Sequence, residues 1–119
     1  MLHQMTLYNG PFEAIQSGHK TIEMRLYDEK RKKLQIGDEI VFTNLDTKET
    51  LRVRVKGIYV YKNFKELYTH FSPLLLGYKK NEKATYEDMY FYYSKENIDK
   101  NGVCGIEIVK IQNFVHMKL

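Results

Sequence analysis

The chain contains little cysteine, little proline and no tryptophan: its 119 residues include one cysteine, Cys104, and two prolines. A single cysteine cannot form an internal disulfide, and it cannot supply the several thiolates of a structural zinc site. Cys104 lies in an apolar segment, which is typical of a buried small residue rather than a reactive thiol. The four histidines are scattered singly through the chain. We therefore predict no bound metal.

Long apolar runs and the common cofactor motifs are also missing. No run approaches the roughly 18 residues of a membrane helix, and the first residues lack the basic start and apolar block of a signal peptide. The dinucleotide-binding G-x-G-x-x-G motif, the P-loop and the G-x-S-x-G nucleophile elbow do not occur in the sequence. We predict a protein without a cofactor, without membrane association and located in the cytoplasm.

Composition and length predict a single folded domain over residues 1–119. Apolar residues make up 43% of the chain and charged residues 29%, which is ordinary for a globular domain and argues against disorder. The net charge of +4 is small, but basic residues are concentrated in segment 48–65, where Glu49 is the one acid. Such a local field favours an anion such as nucleic acid, and it is equally typical of a solvated basic surface.

The apolar pattern predicts strands at 2–8, 21–26, 39–43, 50–61 and 102–114, and helices at 11–17, 63–71, 85–94 and 94–100. In the strand at 50–61, basic residues that include Arg52 and Arg54 alternate with apolar ones, which gives a basic face and a core face. The alternation changes phase at Gly57, which indicates a β-bulge that bends the strand. The order of elements favours an α+β fold, a small mixed β-barrel of five to six strands with flanking short helices.

Segment 18–26 combines a glycine with three charged residues, Lys20, Glu23 and Arg25. As a strand that follows a helix end, it places Glu23 and Arg25 on one face, which we expect to share water or a ligand. The planar fork of an arginine suits a phosphate or carboxylate, and a neighbouring lysine adds a point charge. Arg25 would lower the pKa of Lys20, whereas Glu23 would oppose that shift. The residues alone leave a ligand site and a structural ion pair equally open.

Three motifs carry a resemblance to a known family. Segment 18–25 fits the signature G-x-K-x-x-E-x-R, and segment 37–42 fits the turn and strand G-D-x-I-x-F. Tyr93 precedes Asn101-Gly102-Val103, which is similar to a closing Y-G-V strand with Asn101 at its first position. With these motifs at these spacings, the chain resembles the ASCH domain family of the PUA-like superfamily over residues 2–112.

This resemblance implies a small β-barrel with a cleft beside the signature, in which RNA or a modified nucleotide or nucleoside is bound. It implies ligand contacts from Lys20, Glu23, Arg25 and a cleft tyrosine, Tyr93. The basic strand would extend that surface through Arg52 and Arg54, which are placed to contact phosphates.

The resemblance also implies an alternative, an enzyme. A bacterial branch of the family is an amidohydrolase that removes the acetyl group of N4-acetylcytidine, and Lys20 matches its presumed nucleophile or base. Glu23, the other catalytic candidate here, stands where that branch has threonine. Its further glutamate has no secure counterpart, and Glu82 and Glu87 are the nearest candidates. Some family members are linked to RNA cleavage, for which this chain shows no selecting set of residues; a protein-interaction module is the remaining alternative.

Overall fold

Five strands form one mixed sheet, which curls into a half-barrel. The computed structural model describes residues 1–111. The strands are β1 (Leu2–Leu7), β2 (Ile22–Leu26), β3 (Glu39–Asn44), β4 (Thr50–Tyr61) and β5 (Val103–Lys110), and they lie in the order β1-β3-β4-β5-β2. The helices are α1 (Asn9–Ser17), α2 (Glu29–Lys32), α3 (Phe64–Leu67) and α4 (Lys95–Asn101), and a 3₁₀ helix spans Tyr86–Phe91. The predicted α+β fold, with five strands and short flanking helices, is confirmed.

Two apolar clusters hold the domain together. One fills the concave side of the sheet, where Phe42, Val53 and Ile106 are fully buried beneath α1. The other packs α3, α4 and the 3₁₀ helix against the outer face of β2, around Leu67 and Val103. Strand β2 is therefore covered on both faces, which decides the environment of its charged residues.

The bulge predicted at Gly57 is present in β4. The register between β4 and β5 shifts between Val55 and Gly57. A Cβ atom at Gly57 would lie 2.8 Å from the Tyr59 hydroxyl and 2.9 Å from Glu107 Oε1. A side chain at this position would have to displace the ends of Tyr59 and Glu107, and the bulge lets the long strand bend around the core.

The first helix begins earlier than predicted. Helix α1 starts at Asn9 rather than Pro11, and Tyr8 occupies the cap position without a side-chain hydrogen bond. The side-chain oxygen of Asn9, the first residue of the helix, accepts a hydrogen bond of 2.9 Å from Asn44 Nδ2. Gly18 ends the helix in the left-handed conformation with φ of 94°, as predicted from its position.

The helices predicted at 63–71 and 85–94 are both wrong in length or type. Asn63 caps α3 as expected, but α3 ends at Leu67, and the ring of His70 stacks on Tyr61 at 4.8 Å. Packing on the neighbouring strand therefore replaces another helical turn. Residues Tyr86–Phe91 form a 3₁₀ helix. The last predicted strand ends at Lys110, and residues 112–114 of that prediction lie outside the described residues.

The two edge strands of the half-barrel, β1 and β2, are joined by side chains. In the described part of the chain no backbone ladder connects them. Arg25 Nη2 donates to the carbonyl of Thr6 at 2.7 Å, and Lys30 Nζ donates to the carbonyl of Gln4 at 2.7 Å. We call the gap between β1 and β2 the seam.

Candidate functional site

A cleft of about 1220 Å³ opens beside the start of β2. Its walls are the end of β1, helix α1, the turn at residues 76–79 and the 3₁₀ helix. Lys20, Glu23 and Arg25 line it and are largely buried, with side chains that are 5%, 6% and 11% exposed. The structure thus brings the three charged residues of the sequence motif together at one cleft.

Lys20 is fixed by two backbone carbonyls and an ion pair. Its Nζ donates to the carbonyl of Leu76 at 2.7 Å and to the carbonyl of Ile22 at 3.1 Å, and it lies 3.4 Å from Glu23 Oε1. An ammonium has three N–H donors, and the two carbonyls use two of them. The amine is therefore held at the cleft beside the carboxylate of Glu23.

Arg25 occupies the other side of Glu23. Its Nε donates to Glu23 Oε2 at 2.6 Å, and its guanidinium lies 6.0 Å from the centroid of the Phe42 ring, a cation–π distance. One carboxylate is thus shared by two cations, one on each oxygen. The hydrogen bonds of Arg25 to Glu23 and Thr6, together with its contact with the Phe42 ring, fix the plane of the guanidinium at the cleft.

The pKa values follow from burial and from this sharing. Burial lowers the pKa of Lys20, and Glu23 opposes the shift. Burial by itself would raise the pKa of Glu23, but Arg25 and Lys20 outweigh it and hold that pKa below its ordinary value. For Arg25, the carboxylate outweighs burial and raises the pKa. Glu23 is consequently an ionised acceptor at neutral pH.

Glu23 and Arg25 were expected to share water or a ligand; they line the cleft, but their face of β2 is largely buried. Pairing with β5 places Glu23 opposite Ile106 and Arg25 opposite Cys104, and both partners belong to the core on the concave side. The charged face of the strand therefore points into the half-barrel. The alternating pattern shows two faces but cannot show that short helices cover the apolar one.

Tyr93, the predicted cleft tyrosine, does line the cleft. Its ring stacks on Phe64 at 6.0 Å with an interplanar angle of 15°. Burial raises the pKa of Tyr93, and the charge of Arg25 opposes that shift. The side chain therefore offers the cleft a neutral hydroxyl and a ring fixed by the core.

Arg52 and Arg54 lie elsewhere, on the exposed face of β4 and outside the lining of the cleft. Arg52 Nε is 3.1 Å from Glu39 Oε1, and Arg54 Nη2 is 3.0 Å from Glu39 Oε2. Glu39, which neutralises part of this basic face, belongs to β3 and lies outside segment 48–65, in which Glu49 was the one acid. Binding of phosphates by these two residues stays a prediction.

The two glutamates considered for a catalytic role are at the rim of the cleft. Glu82 Oε1 accepts from the backbone N–H of Lys79 at 2.6 Å. The backbone N–H of Glu87 donates to Thr85 Oγ1 at 3.2 Å, where Thr85 caps the 3₁₀ helix. Both side chains are exposed, so they border the cleft without belonging to the buried charged group.

Sequence reasoning missed the aromatic mouth of the cleft, which we define as Tyr8, Phe91 and Tyr92. The ring centroid of Tyr8 lies 6.2 Å from that of Phe91 and 5.9 Å from that of Tyr92. Phe91 is 78% exposed, unusual for a phenylalanine without a binding role. A signal was present, since four consecutive aromatic residues at 90–93 cannot all face the core from one helical turn.

A chain of hydroxyl groups forms a further wall. Tyr68 Oη is 2.8 Å from Tyr78 Oη, which donates to Asp88 Oδ2 at 2.7 Å. Burial raises the pKa of Tyr68 to about 12, and it raises the pKa of Tyr78 further. Both phenols therefore stay protonated at neutral pH and act as hydrogen-bonding groups.

The lining of the cleft contains more acids than bases. Five acidic residues line it: Glu13, Glu23, Glu82, Glu87 and Asp88. Three basic residues line it: Lys20, Arg25 and Lys79. A polyanionic chain would meet no positive groove here, whereas an uncharged ring with N–H donors would meet acceptors and aromatic faces.

Residues 1–111 contain neither a candidate metal centre nor a helix that could cross a membrane. No group of three histidine, cysteine, aspartate or glutamate side chains in that range is placed to hold a metal ion. Over the same range, no helix has the length and apolarity needed to cross a membrane.

Comparison with solved structures places this fold among known ones. The crystal structure of hypothetical protein PH0355 is 38% identical, covers 93% of this chain and 100% of its own, and has a TM-score of 0.75. Protein PF0455 from Pyrococcus furiosus is 34% identical over 95% of this chain and 100% of its own, with a TM-score of 0.69. ASCH from Zymomonas mobilis shares the fold at 13% identity, over 89% of this chain and 65% of its own, with a TM-score of 0.64.

The family comparison agrees with these structures. No curated protein matches the chain. The model of the ASCH domain matches residues 5–112, a range that contains the cleft lining, strands β2 to β5 and the second half of β1. This chain belongs to the ASCH domain family.

Proposed function

We propose that this ASCH domain binds RNA or a nucleotide, with a base in the cleft beside Lys20, Glu23 and Arg25. One observation carries the proposal: a cleft that combines a buried ionised acceptor at its floor with exposed aromatic rings at its mouth. Single-stranded nucleic acid is recognised by this combination, since unstacked bases lie on aromatic rings and present their edges to hydrogen-bonding groups.

The chemistry of each part suits a base. Each oxygen of Glu23 has a lone pair beyond the one used by its cation, so the carboxylate can accept from an amino or imino N–H of a base. In the bonds among described residues, Arg25 uses two of its five N–H donors, one to Glu23 and one to Thr6. The rings of Tyr8 and Tyr92 are 44% to 49% exposed, so their surfaces are open for stacking.

The test is binding of labelled single-stranded RNA, measured by fluorescence anisotropy at low and moderate salt. Base–aromatic stacking contributes about 1–3 kcal/mol per base, so Phe91→Ala and Tyr92→Ala should each weaken binding by roughly tenfold. The control is Tyr90→Ala, since Tyr90 is about as exposed as Tyr92 and its ring packs on Tyr86 rather than at the mouth. Absence of binding across a panel of RNAs, or an equal loss in the control, contradicts the proposal.

The predicted basic face enters the same experiment. If Arg52 and Arg54 contact phosphates, Arg52→Ala and Arg54→Ala should each reduce the slope of log affinity against log salt by about 0.7 for a single strand. Unchanged slopes would mean that Arg52 and Arg54 do not contact the phosphates and that RNA binds only in the cleft.

A second function, hydrolysis of the acetyl amide of a modified nucleoside such as N4-acetylcytidine, is favoured by Lys20. This lysine is buried at the cleft, its pKa is lowered by burial, and its Nζ lies 3.4 Å from Glu23 Oε1. A lysine becomes a nucleophile or base only after losing a proton. The reaction would add water across the amide C–N bond and release acetate and cytidine.

Incubation with N4-acetylcytidine, followed by chromatography of cytidine, decides this second function. Lys20→Met keeps the length of the side chain and removes the amine, so activity should disappear while binding of the nucleoside persists. Failure of the wild-type protein to release cytidine rejects the activity, as does full activity in Lys20→Met.

A further inference from the structure

A second, smaller pocket of about 200 Å³ lies along the seam. The hydrogen bond from Arg25 to Thr6 separates it from the cleft, since both residues line both cavities. Among the described residues that line it, the charged ones are Arg25, Lys30 and Arg31, and none is acidic. Its charge is therefore opposite in sign to that of the acid-rich cleft next to it.

The three cations of this pocket are only partly neutralised. Glu23 binds Arg25 from the cleft side, and Asp28 Oδ2 is 3.1 Å from Arg31 Nη1. Lys30 is bound to a neutral group, the carbonyl of Gln4. Burial lowers the pKa of Lys30, the nearby charges of Arg31 and Arg25 lower it further, and Asp28 opposes them.

Arg31 also has an unused donor. Its Nε is buried and has no hydrogen-bond partner among the described residues. Buried polar groups in folded proteins are nearly always paired, but this atom is closed to solvent, so a ligand in the pocket would be bound by the Nη groups of Arg31. An oxyanion there would relieve the repulsion among the cations.

We propose that the pocket binds a phosphate group, and that this phosphate belongs to the nucleotide whose base lies in the cleft. The second half of this proposal rests on the proposed function. Arg25 and Thr6 form the common wall, so a nucleotide that spans them places its base among acceptors and rings and its phosphate among cations. The ligand class is consequently a nucleoside phosphate or an RNA segment rather than a free nucleoside.

The phosphate site is tested first with inorganic phosphate, followed by NMR of the arginine Nε–Hε groups and backbone amides. Saturable shifts are expected at Arg31 and at Gln4–Thr6. Lys30→Gln should weaken this binding about tenfold, the range of a charge-assisted hydrogen bond, whereas the control Lys33→Gln removes the same charge from the exposed end of α2 and should change it by less than twofold. No shift at Arg31, or equal weakening in the two variants, overturns the site.

Calorimetry with nucleosides and their 5′- and 3′-monophosphates tests the link to the cleft. At least one monophosphate should bind about tenfold more tightly than its nucleoside, and Lys30→Gln should abolish that gain while leaving nucleoside affinity unchanged. Equal binding of nucleosides and monophosphates overturns this inference and leaves the proposed function standing. Binding of inorganic phosphate without binding of any nucleotide or RNA overturns the proposed function and leaves an anion site.

Discussion

Glu23 and Asp38 are almost equally buried, with residue exposures of 5% and 7%, but their partners differ. Asp38 accepts from His3 Nε2 at 2.8 Å and from the backbone N–H of Gln35 at 3.0 Å, and its Oδ1 lies 3.1 Å from the exposed N-terminal ammonium of Met1, so it ties β1 to the turn before β3. Glu23 is bound by two cations whose side chains are themselves buried, Lys20 and Arg25. One carboxylate joins a strand to a turn and has a cation in water; the other belongs to a buried charged group beside a cleft.

The buried charged group of Lys20, Glu23 and Arg25 indicates a functional site, because its burial is not explained by stability. Burying three charges together is expensive in solvation, and an apolar replacement of similar volume is often as stable or more stable. Stability therefore does not explain the buried group of Lys20, Glu23 and Arg25, whereas Asp38 is explained by its hydrogen bonds to β1 and to the turn and by an ammonium that stays in water. The charged group therefore needs a further explanation, which a ligand at the cleft would provide, whereas Asp38 needs none.

The largest effect is expected for Glu23→Gln, which leaves two buried cations without their counter-ion. Breaking a buried ion pair destabilises proteins by about 3–5 kcal/mol, and urea unfolding followed by circular dichroism measures the loss. Asp38→Asn should lose less, because an amide still offers an oxygen to Gln35.

A combined variant sharpens this comparison. Lys20→Met, Glu23→Leu and Arg25→Met together should recover much of the stability lost in Glu23→Gln, while RNA binding stays absent. If Glu23→Gln and Asp38→Asn lost the same free energy of unfolding, the proposed distinction between the two carboxylates would be wrong.

An intermediate effect is expected for Gly77→Ala, which disturbs the cleft without touching a charge. Gly77 has φ of 110°, and a Cβ atom there would lie 3.0 Å from Lys20 Cδ. Strained backbone of this kind is worth about 1–3 kcal/mol, so the free energy of unfolding should fall by that amount and Lys20 should shift.

The matched control is Gly10→Ala, because Gly10 lies in α1 with no atom within 4 Å of an added Cβ. Alanine is a better helix former than glycine by up to about 1 kcal/mol, so this variant should be unchanged or more stable in the same urea titration. A loss equal to that of Gly77→Ala would show that the Lys20 contact is unimportant.

The smallest effect concerns acid. His3, then the Gln35 backbone, hold the folded pKa of Asp38 at about 2, against 3.8 for an ordinary aspartate. A lowered folded pKa gives stability that is present above the unfolded value and is lost as the pH falls toward the folded one. The wild-type free energy of unfolding should therefore decline between pH 4 and 2, and Asp38→Asn should flatten that decline. An unchanged slope would assign the acid sensitivity to Glu23, whose pKa is also lowered.

The sequence predicts the fold well wherever neighbouring residues carry the signal. The bulge at Gly57 follows from a change of parity in one strand, and the end of α1 follows from Gly18. The helices predicted at 63–71 and 85–94 fail because their rings bind partners distant in sequence, such as His70 on Tyr61. Local periodicity contains no information about those partners.

The candidate site divides in the same way. Lys20, Glu23 and Arg25 could be found because they lie within six positions of one another. The carbonyl of Leu76, which binds Lys20, comes from a turn more than 50 positions away, and backbone groups leave no trace in residue types. Burial of Glu23 depends on β5 and on helices that cover β2, so it could not be read from the motif.

The seam has a consequence for the way copies of this protein meet. An edge strand with free carbonyls is a template onto which a strand from another molecule can add. Along β1, the carbonyls of Gln4 and Thr6 already accept hydrogen bonds from Lys30 and Arg25. The side chains that line the proposed phosphate pocket therefore also occupy this edge, and they guard the open half-barrel against edge-to-edge aggregation.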